Sequence, residues 1–210
     1  MQAYNVNSQL LRADTAIGAT VATTVASLGT ATDGKIGLIR AGGTGGIADS
    51  WKMVVYDATY AKWITPEESR ELLIREANGQ STNNATYVDV GGGWTAAIQS
   101  AKAFSDAGLS LQTAVAWVVQ SEASSTARGA ILAFRDLADD GNMAGGANLA
   151  TANEVTGWTA NSTNRAKFSG WEQPALTITA AHLQLIPQIK NDGTRTTYLQ
   201  RATARLRWVG

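Results

Sequence analysis

Thr197-Tyr198-Leu199-Gln200-Arg201-Ala202-Thr203-Ala204-Arg205-Leu206-Arg207-Trp208 decides the fold class. Tyr198, Ala202, Ala204, Leu206 and Trp208 share one parity, and Arg201, Thr203, Arg205 and Arg207 take the other. A period of two belongs to a strand with one covered face. Slipping the register by one residue would bury the arginines, so the expected register is firm.

The same alternation recurs upstream. Leu109, Leu111, Thr113, Val115, Trp117 and Val119 share a parity, and Ala130-Ile131-Leu132-Ala133-Phe134 is a compact apolar run. Leu176 and Ile178, then Leu183, Leu185 and Ile189, continue the pattern. Short strands parted by Gly, Asn and Asp turns predict a mainly β chain built on a β-sandwich over residues 85–210. Residues 95–107 stay open between strand and helix, because Ile98, Ala101 and Phe104 also fit a helical stripe.

Ahead of the sandwich, residues 1–34 are an Ala/Thr/Val/Gly stretch too weakly apolar to build a core. We expect an extended N-terminal arm, or else a thin edge strand of the same domain. Residues 35–80 form a small β-rich module: a strand at Lys35–Arg40, a glycine loop at 42–46, and a strand pair between Trp51 and Trp63. Thr65-Pro66-Glu67-Glu68 matches a capping box with proline at the first helical position, which predicts one short helix over 66–77. The polar run Gln80–Ala85 reads as a linker.

Charge is sparse, at 16% of 210 residues, and formally balanced. It is unevenly placed. From Arg165 onward seven basic residues face two acidic ones, so this end carries +5 and residues 1–164 carry −5. Either the ends attract one another between copies, with Arg201, Arg205 and Arg207 as an inter-subunit basic face, or one strand simply has a basic exposed side. A chain of zero net charge has no general drive toward nucleic acid or an anionic membrane. No apolar run approaches the ~20 residues of a membrane helix. Met1 is followed by polar residues, so we expect no signal peptide and a product made in the host cytoplasm.

Few residue types needed for catalysis are present. There is no cysteine, and His182 is the only histidine. Neither a Ser-His triad nor a multi-histidine zinc site can be assembled from that stock. The glycines at 42–46 and 91–93 are not followed by the lysine of a phosphate loop. Asp136, Asp139, Asp140 and Asn142 surround Gly141, but an EF-hand register places Ala138 and Ala147 where ligands belong. A solvated acidic turn is the simpler reading. We expect no enzyme activity and no cofactor.

Seven tryptophans are many for this length. Trp117 and Trp208 lie on apolar strand faces and belong to the core. Trp158 and Trp171 sit in Asn/Ser/Thr-rich stretches, where an indole would either pack in the core or at the rim, or stack on a glycan or a partner subunit.

The order of features from Tyr87 to Trp208 resembles the carbohydrate-binding-module-like jelly rolls that recur in tailed-phage head, tail and fibre proteins. It runs from Ala116-Trp117-Val118, through Ala133-Phe134-Arg135-Asp136 and Ser169-Gly170-Trp171, to Gln184-Leu185-Ile186 and Thr197-Tyr198-Leu199-Gln200-Arg201-Ala202. Val55-Tyr56-Asp57-Ala58-Thr59-Tyr60-Ala61-Lys62-Trp63 looks like a hairpin of phage tail and fibre proteins. The resemblance implies a virion structural protein, a capsid decoration or tail/fibre subunit, whose partners are its own copies and other virion proteins. The alternative it implies is a glycan-binding module. Gln200 and Arg201 replace the family's usual acidic residues beside the last strand, which removes the basis for an inherited calcium or sugar site.

Overall fold

The computed structural model describes residues 20–41, 50–74, 80–90, 97–122, 127–138, 147–158 and 161–210. The chain forms two compact units that interleave along the sequence. The first takes Met1–Pro66, Ala103–Ser110 and Arg207–Gly210; the second takes Glu67–Lys102 and Leu111–Leu206. The segments 1–34, 35–80 and 85–210 expected from the sequence do not coincide with these units.

In the first unit, β1 (Thr20–Ala22) runs parallel to β2 (Ile36–Ala41), which pairs antiparallel with β3 (Ser50–Asp57) from Ile36↔Val55 to Ala41↔Ser50. A tight hairpin leads into β4 (Lys62–Ile64), and Ile64 pairs with Val209 near the C-terminus. The hairpin turn is held by Asp57, whose carboxylate accepts the Thr59 and Tyr60 amides at 2.9 and 3.2 Å. Ala61 then takes a left-handed φ of 51°. Of the expected arm, residues 1–19 lie outside the described residues. The part from 20 onward is bound into this unit: the Trp63 indole donates to the Gly29 carbonyl at 2.8 Å, and the Val25 amide donates to the Ala107 carbonyl at 2.9 Å.

The second unit is the β-sandwich. Its strands are β5 (Glu68–Ile74), β6 (Gln80–Thr82), β7 (Val88–Asp89), β8 (Ala97–Ile98), β9 (Ser110–Ser121), β10 (Gly129–Leu137), β11 (Ala150–Thr156), β12 (Asn161–Phe168), β13 (His182–Lys190) and β14 (Thr197–Val209). In the first sheet β5 and β6 flank one side of β14, followed by β9 and then β12. The second sheet runs β11, β10, β13, with β7 and β8 on the far side of β13. The chain crosses between sheets after β6, β8, β9, β11, β12 and β13, which gives the sandwich its jelly-roll-like character. The described α-helix, α1, spans Ala101–Asp106, in the segment where the sequence left helix and strand open.

Over the described part of the expected helix, residues 66–74, no helix is formed. Glu68–Ile74 is β5, paired antiparallel with β14 from Leu206↔Glu68 to Arg201↔Ile74, with a bulge at Leu72. The capping signal fails because the Thr65 hydroxyl accepts the Trp208 amide at 2.9 Å and caps nothing. Local helix preference amounts to tenths of a kcal/mol per residue. Pairing with β14 buries Leu72 and sets glutamates against arginines, and it wins. Gln80–Thr82, expected as linker, is likewise a strand, paired with Thr197–Leu199.

The core lies between the inner faces of the two sheets. β9 contributes Leu111, Val115, Trp117 and Val119, and β10 and β13 contribute Leu132, Phe134, Leu183, Leu185 and Ile189. Trp117 and Phe134 each cover ~200 Å², worth about 5 kcal/mol as an upper estimate. β14 departs from strict alternation. Ala202, Ala204 and Leu206 are buried as expected, but Thr197 and Leu199 are buried too, so the covered parity changes between 199 and 202. Tyr198, expected inside, is half-buried and its hydroxyl donates to Glu122 at 2.9 Å.

Candidate interaction face

Alternation in the first sheet defines its outer face. On β9 the inward row runs Leu111, Thr113, Val115, Trp117, Val119, and the outward row includes Ala116 and Val118, both half-exposed. β12 pairs Phe168 with Ala116 and Ala166 with Val118, which places Phe168 and Ala166 outward beside them. Phe168 is 75% exposed, more than any other large apolar side chain among the described residues. These four residues form an open apolar strip.

Two strands away the same face is ionic. Arg205 of β14 forms an ion pair with Glu67 and lies 5.3 Å from the centroid of Trp171. Arg201 pairs with Glu71. These diagonal cross-strand pairs exist because β5 is a strand. A cation over an indole contributes about 0.5–1 kcal/mol where water reaches it, and each exposed ion pair a similar amount at most. Of the expected basic face, Arg201 and Arg205 are therefore neutralised within the chain. Arg207, half-buried, belongs to the other unit. Lys190 also meets Glu154, at 3.6 Å. The sequence's charge asymmetry is thus partly closed within the fold.

Trp171 and Trp158 part company. Trp171 is half-buried on the outer face. Trp158 is 1% exposed, so its ring meets protein and offers no surface to a glycan or a partner; the expectation for that residue is corrected. Polar flanking residues misled because they shape a loop while the indole turns in. His182 serves structure: its Nδ1 accepts the Ser100 amide at 3.0 Å, supporting a left-handed residue at φ 56°. Asp136 is buried and accepts the Thr179 amide at 3.1 Å, while Asp139, Asp140 and Asn142 lie outside the described residues. Among the described residues no group of three or more acidic or histidine side chains is arranged to hold a metal.

Sequence reasoning missed a buried polar junction at Asn153. This residue sits in a bulge of β11, where Ala130↔Val155 and Leu132↔Ala152 leave one extra residue, and it takes φ 59°. Its Oδ1 accepts the Thr113 hydroxyl at 2.5 Å, and its Nδ2 donates to the Thr113 and Gly170 carbonyls at 2.9 and 3.2 Å. The backbone is tied as well. The Asn153 amide donates to Glu172 at 2.8 Å, and the Trp117 indole donates to the Asn153 carbonyl at 3.2 Å. Because Glu172 is bridged to Thr113 and points inward, its neighbour Trp171 is turned outward toward Arg205.

The outer side of the second sheet is already covered: Ile131, Ala133, Ile186, Gln184 and Gln188 are all buried. Arg135 there grips Asp89 with two bonds of 2.7 and 2.9 Å, and Gln188 donates to the same carboxylate at 2.7 Å. Burial works to raise the Asp89 pKa, but the Arg135 and Gln188 hydrogen bonds and the Arg135 charge together hold it below the ordinary range. Nearby, Tyr87 covers Gly129 and donates to Glu154 at 2.5 Å. Burial first, then that hydrogen bond and the carboxylate charge, push the phenol far above its ordinary value.

No family model matches the sequence, and no curated protein matches it. The chain does resemble solved structures. One is a chain from the structure of infectious bursal disease virus, Gx strain. It is 14% identical, with 83% of this chain and 37% of that chain covered and a TM-score of 0.37. This protein therefore spans little more than a third of that chain's length. Among the described residues no helix is long and apolar enough to cross a membrane.

Proposed function

We propose that this chain is a non-enzymatic structural component of a tailed-phage virion, a capsid decoration or tail/fibre subunit. It acts by packing against copies of itself and other virion proteins. The observation that carries the reading is the open apolar strip on the outer face, where Phe168 stands exposed on a paired strand, two strands away from ion pairs compensated within the chain. A rigid face that exposes an aromatic and satisfies its own charges suits contact through packing. A second reading, glycan attachment, draws on the half-exposed indole of Trp171 alone. Particles purified through a density gradient are probed with an antibody to this chain, and the particle band is expected to carry it. Its complete recovery in the soluble fraction would overturn the virion reading. Glycan-array binding lost on Trp171→Ala would establish the second.

A further inference from the structure

Each long outer strand of the sandwich carries a device that resists pairing with another strand. On β12, Arg165 pairs with Val119 and Lys167 with Trp117, so both cations sit on the core-facing parity of that strand. On β5, Glu68 pairs with Leu206 and Arg70 with Ala204, which places two more charges on that parity, bonded to each other at 3.1 Å. In the second sheet β11 is broken by the bulge at Asn153, and β7 and β8 are two residues each. A strand added to β12 or β5 would have to cover these charges, and one added to β11 would have to follow a kink. Inward charges, bulges and short edges are the recognised defences against edge-to-edge association. The outer face of the second sheet is covered. Among the described residues the outer face of the first remains open.

We propose that two copies of this chain meet face to face through the outer surface of that first sheet, with Phe168 at the contact, and that the sheet edges take no part. This rests on the reading of the chain as a packing protein and names its surface. The occupant is a second copy because the face is electrically self-compatible. Arg201 with Glu71 and Arg205 with Glu67 sum to zero, so apposing two such faces brings together no net like charge. A strongly charged partner would find no counter-field there. Four strands ~4.8 Å apart, each offering ~20 Å of length, cover roughly 400 Å² per copy and roughly 800 Å² between two copies, short of the ~1,000 Å² of a stable specific contact. The dimer is therefore weak, micromolar or above, and gains its strength from repetition in an array.

Sedimentation velocity of the full chain, from about 1 to about 500 µM, brackets that weak regime. The wild type is expected to pass from monomer to dimer. Phe168→Arg and Ala166→Glu are expected to raise the midpoint at least ~tenfold, since each sets like charges against each other across the two-fold. Both positions are exposed, and unchanged circular dichroism and urea midpoints confirm the fold. Arg165→Thr combined with Lys167→Thr is expected to keep the dimer and add larger, salt-insensitive species. A wild type that stays monomeric throughout, or variants that dimerise at the wild-type midpoint, would overturn the proposal. Either result leaves the virion reading intact, because particle incorporation tests that separately.

Discussion

Replacing Asn153 by alanine tests the polar junction that orients Trp171 and closes β11 against β9. Asn153 is 0% exposed and holds three side-chain hydrogen bonds, to the Thr113 hydroxyl, the Thr113 carbonyl and the Gly170 carbonyl. The Thr113 carbonyl keeps the Glu172 amide at 2.9 Å, and the exposed Gly170 can turn to water, so those two losses cost about 1 kcal/mol together. The buried Thr113 hydroxyl is stranded, at about 1–2 kcal/mol. Alanine at φ 59° adds about 1 kcal/mol, since asparagine tolerates the left-handed region better. The expected loss is about 3–4 kcal/mol. Asn153→Gly separates the terms: it forfeits the same bonds and relieves the backbone, so it should lie above alanine by about 1 kcal/mol, against the usual order.

The assay is urea unfolding at neutral pH followed by far-ultraviolet circular dichroism, with Thr113→Val completing a double-mutant cycle. The two changes should couple by about 1 kcal/mol or more, because Thr113→Val removes the hydroxyl that Asn153→Ala would strand. A loss below about 1 kcal/mol for alanine, or additive effects in the cycle, would refute this account of the junction.

Gly129→Ala would place a methyl 2.2 Å from the Tyr87 hydroxyl, so the ring must lift off the sheet. We expect a loss of about 1–3 kcal/mol, and ultraviolet titration should show a tyrosine that ionises far above its ordinary range returning toward it. The folded-state pKa of Tyr87 is raised, so its contribution to stability is complete below the ordinary value of 10.0 and is lost as pH rises above it; Glu154→Gln should weaken that alkaline loss. Asp89 has the opposite sign. Its folded pKa is depressed, so its contribution is present above 3.8 and disappears as pH falls through the lower folded value. Asp89→Asn should flatten that acid limb and cost about 1–2 kcal/mol at neutral pH, by leaving the buried Arg135 without this carboxylate. Ala61→Gly at the hairpin turn should stabilise the first unit by about 0.5 kcal/mol in thermal melts, since relief of the left-handed alanine slightly exceeds the entropy of an added glycine.

The sandwich was legible wherever one face of a strand is covered and the other is wet. β9 is the case in point: its predicted inward row is the buried row, residue by residue. β14 was legible from Ala202 to Trp208, where the even-numbered residues are buried as expected. Upstream of these, Thr197 and Leu199 are covered instead, and a single period-two register cannot follow a strand whose covered parity switches part-way. Leu176 and Ile178 alternate without forming a strand, since the structure gives residues 173–181 no ladder. The helix over 66–77 failed for a related reason. A capping box is a local signal, and the partners that overrule it, Trp208, Arg201 and Arg205, lie about 130 or more residues away. Trp171 packs at the rim and Trp158 in the core, both among the packing roles open to them in sequence, and the contact role also open to Trp158 is removed by its burial. Phe168 was within reach of the sequence: Arg165-Ala166-Lys167-Phe168 alternates, and its apolar parity continues Ala116 and Val118. The sequence alone does not say that the charged parity faces the core.

The uneven spread of charge along the chain had two readings, attraction between copies or a strand with one basic side, and three of the bases find their partners within the chain. Arg201 and Arg205 are answered by Glu71 and Glu67, and Lys190 by Glu154. Each of these acids precedes residue 165 and each base follows it, so charges separated in sequence meet within one sandwich. Such pairs contribute little stability, about 0–1 kcal/mol each at the surface. They do select among registers: shifting β5 along β14 by two residues would keep its exposed parity and still displace both glutamates from their arginines. The residues that remain for contact are then the uncharged ones, Phe168 and its apolar neighbours. On the reading proposed above, with charge committed to register and the edges guarded, the apolar strip of the first sheet is the surface on which this chain binds another without unpairing anything it has already paired.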